Sequence, residues 1–348
     1  MNKFAIIAVA LLFHTTLLSQ QSPWEAMNRG LMHTLVYTIE IDANDPLRMY
    51  CGTDYGNIYT STDGGFNWML TRVGIPEDYD NERVSALHID RTNAEILYTG
   101  FGGRESRYNL FMSTNAGAAW QVLATPSEWK KHGVLHILRN NTDPPRLFCG
   151  LGWFHGIFYS VENDSVWTRI LGDHGIQVLT SHPGNASYLY AGASAGMALL
   201  RSTDGGDTWS QSTNGIDVKD KDTGVRCISC SPSNPSVVYA GVTGHSHGLY
   251  RSTNAGASWQ PLNNVAEISE IAIHPKNENL IYISAIGTGV WRSTDGGANW
   301  TKLTLGLPTT DVMRVRFAPG YPVRVFAVTL KHGIYRMVDE ELPECMFE

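Results

Sequence analysis

The chain has 348 residues, with 26 Lys and Arg against 33 Asp and Glu, for a formal charge of −7. With no basic run in it, that balance argues against nucleic acid or an anionic membrane as partner, since both need clustered Lys and Arg. Gly at 34, Trp at 10 and only 17% charged residues suit many short strands joined by tight turns better than amphipathic helices.

At the N-terminus, Lys3 precedes an apolar run from Phe4 to Phe13. The run is too short to span a bilayer and is flanked as a secretory signal is. Residues 1–20 are expected to be a leader, 21–340 a single domain, and 341–348 a tail. The mature protein is expected in the periplasm or outside the cell, without a membrane span and as a monomer.

Next comes Trp24 to Leu31, which matches Trp209 to Ile216 in pattern. An eight-residue motif then recurs: Ser61–Trp68 (STDGGFNW), Ser113–Trp120 (STNAGAAW), Ser202–Trp209 (STDGGDTW), Ser252–Trp259 (STNAGASW) and Ser293–Trp300 (STDGGANW). A degenerate copy, Ser160–Trp167, keeps only its ends, and a seventh unit loses the motif at Met337. The starts lie about 46 residues apart on average, the length of one four-stranded propeller blade.

Each unit predicts four strands. In the sixth these are Glu270–Ile273, Leu280–Ile283, Gly289–Arg292 and one beginning at Trp300, with β-branched and aromatic residues bounded by Gly, Pro and Asn. The fold class is therefore all-β: a seven-bladed β-propeller with blades of four antiparallel strands, closed by the N-terminal strand. The seventh unit, Val323 to Val338, lacks a Trp and a fourth strand. Trp24 is expected to fill its box, with its strand outside Gly333 to Arg336, because closure removes exposed sheet edges.

The motif's own chemistry is conformational. Asp63, Asp204 and Asp295, or Asn115 and Asn254, are expected to accept backbone N–H bonds two residues on. Asn replaces Asp in two copies, so the oxygen matters and the charge does not. The first Gly becomes Ala116 or Ala255, while the second is kept as Gly65, Gly117, Gly206, Gly256 and Gly297. The second position is thus the one expected to need positive φ. Trp68, Trp120, Trp167, Trp209, Trp259 and Trp300 should fold beneath their hairpins and bury. These residues are staples.

Ser-x-Asp-x-Gly-x-x-Trp resembles the Asp-box (BNR) repeat, and its copies cover nearly the whole mature chain. The resemblance implies a β-propeller and leaves function open. Such boxes occur in sialidases, xyloglucan-cleaving glycoside hydrolases, sortilin-type receptors and photosystem II assembly-factor propellers. The Arg-Ile-Pro tripeptide of sialidases is absent from the sequence. Gly52 to Tyr59 resembles the segment that carries the first catalytic Asp of xyloglucan-cleaving enzymes, which makes Asp54 a candidate carboxylate. Their second acid comes from a second propeller, and glycoside hydrolysis needs two carboxyl groups. By size the chain is most similar to the assembly-factor class. That resemblance implies a non-enzymatic exported propeller that binds a protein or glycan partner, with glycoside hydrolysis as the alternative.

By analogy, ligands meet the face that carries the loops from strand two to three and from strand four to the next blade. Its candidate ligand-binding residues are Tyr55, Arg104, Arg107, Trp129, Trp153 and His155. A planar ring beside two guanidinium groups can stack a sugar or an aromatic side chain and pair a carboxylate. Rim packing is the alternative for Trp129 and Trp153. No cofactor is implied, and His245-x-His247 has no assignable third ligand for a metal. Cys51 and Cys149 occupy a slot that is Ala191 or Ala240 in other units, so they are expected to be unpaired core thiols. Cys227 and Cys230 should face opposite ways on one strand.

Overall fold

The computed structural model describes residues 23–102, 110–129, 132–152, 155–161, 165–172, 174–194, 199–219, 222–340 and 342. The leader and all but one residue of the tail lie outside them. The described strands form seven antiparallel sheets of four. Six are simple meanders, from the sheet that starts at Val36–Ile41 (blade 1) to the one that starts at Ile268–His274 (blade 6). Blade 7 joins Val312–Ala318, Arg324–Thr329 and Gly333–Val338 to Trp24–Ala26. Trp24 pairs with Met337, Glu25 with Arg336 and Ala26 with Tyr335, so the N-terminal strand closes the ring in the expected place. Trp24 is buried, and its Nε1 donates to the Leu303 carbonyl of blade 6 at 2.7 Å.

The box hairpins are built differently in two details from the sequence expectation. Asp63 Oδ1 accepts the N–H of Asn67, four residues on and not two, at 2.9 Å. Ser61 Oγ meanwhile donates to Asp63 and accepts the Gly65 N–H. The same pattern recurs at Asn115, Asp204, Asn254 and Asp295, so an amide oxygen serves as well as a carboxylate. Both glycine positions have positive φ, not the second alone. Ala116 and Ala255 sit at φ 54 and 53, whereas Gly117 and Gly256 sit at 80 and 81. The first value is the left-handed helical minimum, which alanine tolerates at modest cost; the second lies beyond it. A Cβ on Gly206 would also press on the Phe148 ring at 2.7 Å.

The tryptophans divide into two kinds. Trp68, Trp120 and Trp259 are buried and reach back to the preceding blade, where Nε1 donates to Met27 O at 2.8 Å, Thr71 O at 3.2 Å and Ser212 O at 2.8 Å. Trp209 and Trp300 are half-buried and donate to their own hairpins at Gly206 O and Gly297 O. Trp167, from the worn box, bonds Ala124 O of blade 2 at 2.8 Å.

A second contact also joins the blades. The Tyr50, Tyr190 and Tyr239 hydroxyls donate to the box carbonyls of Ala116, Ala255 and Gly296 in the next blade at 3.1, 3.1 and 3.0 Å. Blade 7 has no box, and there the Asp339 carboxylate takes its place. It accepts from Tyr282 of blade 6 and pairs with Arg292 Nη1 at 2.7 and 2.8 Å. Cys51, Cys149, Cys227 and Cys230 are buried and unpaired. Cys227 packs towards blade 6, and Cys230 packs in the cluster shared with blade 4.

The inner strands surround a central cavity of about 370 Å³ and are stitched to one another by side chains. Ser85 and Ser269 donate to the Val134 and Val312 carbonyls, each at 2.6 Å. Arg314 Nε donates to Tyr37 O at 3.3 Å. His88 Nε2 accepts the Arg139 N–H at 3.3 Å. Burial, with Arg91 near His88 and Arg314 near His136, lowers these two imidazoles to about 4. Burial and Lys276 do the same to His274.

Two outcomes follow from this packing. Asp339→Ala should cost about 3–5 kcal/mol, because it strips the carboxylate from a buried guanidinium; the side chains of Arg292 and Asp339 are only 9% and 3% exposed. Asp339→Asn keeps an acceptor and should cost less, both read from urea midpoints. The three histidines stay neutral in the fold after an unfolded chain would have protonated its own near 6.5. Their contribution is full above pH 6.5 and is lost as the pH falls from 6.5 through 4, up to about 3 kcal/mol for each. Urea midpoints measured across that window should fall, and His88→Gln should flatten the fall.

Candidate functional site

On the loop face, blade 1 carries a tight turn between its second and third strands, Met49–Thr53 and Ile58–Ser61. Thr53 N–H bonds Asn57 O at 3.0 Å, which closes the turn. Asp54 N–H bonds Leu35 O at 3.4 Å, and Gly56 N–H bonds Glu82 O at 2.7 Å. The turn is thereby tied to both connections that flank blade 1. Arg72 Nη1 braces it through Tyr55 O and Asn57 Oδ1, both at 3.3 Å, and through Asp80 Oδ1 at 2.7 Å.

Tyr55 and Gly56 occupy the two left-handed positions, at φ 58 and 62. Gly56 is required, since a Cβ there would meet Tyr79 O at 2.6 Å. Tyr55 is not required by the turn. A side chain in this region costs about 1–2 kcal/mol relative to the right-handed one. The residue is 48% exposed, and its ring lies 4.6 Å from the His33 ring.

Asp54, the residue before Tyr55, has its Oδ1 buried and without a hydrogen-bond partner. Burial raises its carboxyl pKa, and His33 draws it back down only in part. Tyr37 is close enough to feel the Asp54 charge, and the Arg83 guanidinium sits 5.5 Å above the Tyr37 ring. The Tyr37 phenol is raised by burial, against the pull of Arg83. The site thus offers an open aromatic ring, a carboxylate with a spare acceptor, a phenol and a guanidinium. It can stack a planar or sugar-like group and accept a hydrogen bond from it.

Of the residues expected to bind ligand, Tyr55 lies in this site and His155 on blade 3, where its ring lies tilted against that of His132. Trp129 is 1% exposed, edge-on to Phe158 at 5.2 Å and Trp167 at 4.7 Å. Its ring therefore packs the rim and presents no face for stacking. Arg104, Arg107 and Trp153 lie outside the described residues. His33, Tyr37 and Arg83 were not singled out from the sequence. Their only signal there is position, beside the inner strands that flank the Asp54 turn. Among the described residues, no group of three His, Cys, Asp or Glu is placed to hold a metal ion. No helix among them is long and apolar enough to cross a membrane.

The family model described as sortilin, neurotensin receptor 3 (Sortilin-Vps10) matches residues 247–341. A xyloglucanase of a Paenibacillus species is 24% identical over 264 residues, covering 69% of this chain and 22% of that protein. A xyloglucanase of Acetivibrio thermocellus is 26% identical over 168 residues, covering 38% of this chain and 20% of that one. The chain thus spans about a fifth of the length of these curated relatives. Among solved structures, YCF48 bound to D1 peptide superposes with TM-score 0.67 at 13% identity, over 92% of this chain and 98% of that one. YCF48 from Cyanidioschyzon merolae gives 0.68 at 14%, over 91% and 99%. The extracellular domain of a one-component system of B. thetaiotaomicron gives 0.66 at 11%, over 90% and 39%. At these identities the likeness is one of fold. The recurrent boxes, their shared hydrogen-bond pattern and the closed ring of seven sheets make this chain an Asp-box β-propeller.

Proposed function

We propose that the protein is exported and binds a protein or glycan partner on its loop face, without turning it over. Among the described residues we assign Tyr55, Asp54 and His155 to that surface; Arg104, Arg107 and Trp153 are carried over from the sequence and lie outside the described residues. The observation that carries this reading is Tyr55. An exposed aromatic ring is kept at a left-handed turn position, where glycine would be unstrained. The buried, unpartnered Asp54 Oδ1 beside it gains from any donor that a ligand supplies. A propeller of the same fold, YCF48, has been solved with a peptide bound, which is consistent with recognition by a single ring.

Glycan cleavage is the second reading. The Asp54 carboxyl, raised by burial, lies in the segment that resembles a catalytic one, and the sequence relatives are named xyloglucanases.

Two experiments separate these readings. Capture from an envelope fraction, run beside a panel of polymeric glycans, should find a partner whose retention falls at least about tenfold in Tyr55→Gly. The variant's stability, read from its urea midpoint, should be unchanged or raised by up to ~1 kcal/mol, because strain is relieved. Unchanged capture would move the site elsewhere. On xyloglucan the expected result is no release of reducing ends. Release that disappears in Asp54→Asn would replace binding by hydrolysis.

A further inference from the structure

The two residues that follow each box tryptophan, Trp24 included, lie on the outer strand of a blade and are exposed in all seven blades. In six blades at least one of the two is polar, charged or proline: Gln121, Arg169, Gln211, Pro261, Lys302 and Glu25. Residues of that kind discourage pairing at an open sheet edge. Blade 1 has two large apolar residues there, Met69 and Leu70. Phe66 likewise stands in a box position that holds Ala118, Asp207, Ala257 or Ala298 in the other intact copies. Val73 follows on the same segment. Met32 reaches the strand from the N-terminal side, where its N–H bonds the hydroxyl of Tyr59, the cross-strand partner of Leu70. These five residues are 46–71% exposed. Together they present on the order of 500 Å², within the range of the largest apolar patch on a typical monomer, which is often functional.

Leu70 also presents its backbone. Thr71 N–H bonds Ile58 O within the sheet, whereas Trp68 N–H points the other way, to Arg29 O. Alternation along an antiparallel strand therefore turns the Leu70 N–H and carbonyl outward. The strand ends at Leu70, and Trp68, the previous outward residue, is already bonded to Arg29. The edge left for pairing is thus about one residue long, too short for an extended peptide to add as a strand. A single outward residue is enough for a two-fold junction, because it can exchange both N–H···O bonds with its own copy.

We propose that the protein forms a two-fold dimer, in place of the monomer expected from its sequence, joined along the outer strand of blade 1. Leu70 of one copy pairs with Leu70 of the second, and Phe66, Met69, Val73 and Met32 close over the junction. Two such patches meeting remove about 1,000 Å² from water, the size at which specific interfaces begin. Interfaces near that limit are weak, so dissociation in the micromolar range is expected. The surface shares no residue with the loop-face site and does not depend on that reading.

The test is sedimentation velocity on the mature chain from about 1 to 100 μM, beside the same measurement on Leu70→Lys. The mass of the unaltered chain should double across that range, and the variant should need at least about tenfold more protein to do so. Its urea midpoint should stay in place, because the substituted side chain is exposed. Trapping gives an independent readout. Leu70→Cys, oxidised with diamide, should form a disulfide-linked dimer, since the Cα atoms of a hydrogen-bonded pair lie about 5.5 Å apart. Gln211→Cys, the same position on blade 4, should stay at the background of the unaltered chain. A chain that remains monomeric at the top of the range overturns the proposal. So does a dimer that Leu70→Lys leaves intact, or equal trapping of the two cysteine variants. Flotation of a monomeric chain with phospholipid vesicles, lost in Leu70→Lys, would assign the patch to a lipid surface instead.

Discussion

In each of the seven sheets the strand ladder runs among four strands and does not cross to the neighbouring sheet, so the ring depends on contacts outside the ladders: side chains that cross, and single backbone bonds such as Trp68 N–H to Arg29 O and Trp120 N–H to Val73 O. A tyrosine hydroxyl from one blade takes a box carbonyl of the next, and a box tryptophan clasps the segment behind it. These contacts need the hairpin carbonyl at a fixed place, which a Ser–Asp or Ser–Asn pair secures by holding the backbone N–H groups of the turn. A wrong turn conformation would leave a buried hydroxyl unpaired, at about 1–3 kcal/mol for each. The repeat is kept for its backbone geometry, and that accounts for its indifference to Asp or Asn.

Blade 7 shows what happens when the box is missing. Its third strand runs on to Asp339 without a hairpin, and the chain supplies a carboxylate where three other junctions have a peptide carbonyl. On the inner side, Glu270 and Glu40 meet the two arginines of the same blade. The closing blade is therefore held by charge on the sides that face both neighbours. Buried ion pairs contribute little net stability compared with apolar contacts of equal volume, but they are costly to break singly. Such a junction favours one register of the terminal strands, which is what a ring closed by two chain ends requires.

The fold was legible because its determinants are local and repeated. Period, strand alternation and box all fall within some 46 residues, and the match of Trp24–Leu31 to Trp209–Ile216 placed the closing strand. What the sequence hid is set by packing between blades. Nothing in the motif tells Trp68, which reaches its neighbour, from Trp300, which bonds its own hairpin. Trp129 looked like a loop residue, yet a short 3-10 turn at Ser127–Trp129 folds it against Phe158 and Trp167. His33, Tyr37 and Arg83 meet Asp54 and Tyr55 from segments up to 50 residues apart, and no local pattern announces such a meeting.

These observations separate two kinds of constraint within one repeat. The side of each blade that carries the box is fixed by its neighbours, and its residues recur. The side that carries the connecting loops is tied down by backbone hydrogen bonds, such as those from Asp54 and Gly56 to Leu35 and Glu82, and by individual side chains such as Arg72, which differ from blade to blade. A residue there that costs folding energy without bonding a neighbour is under a demand other than folding. Tyr55 meets that description at the loop face. It is strained and open to solvent, in a fold whose polar groups are widely spent on holding blades together.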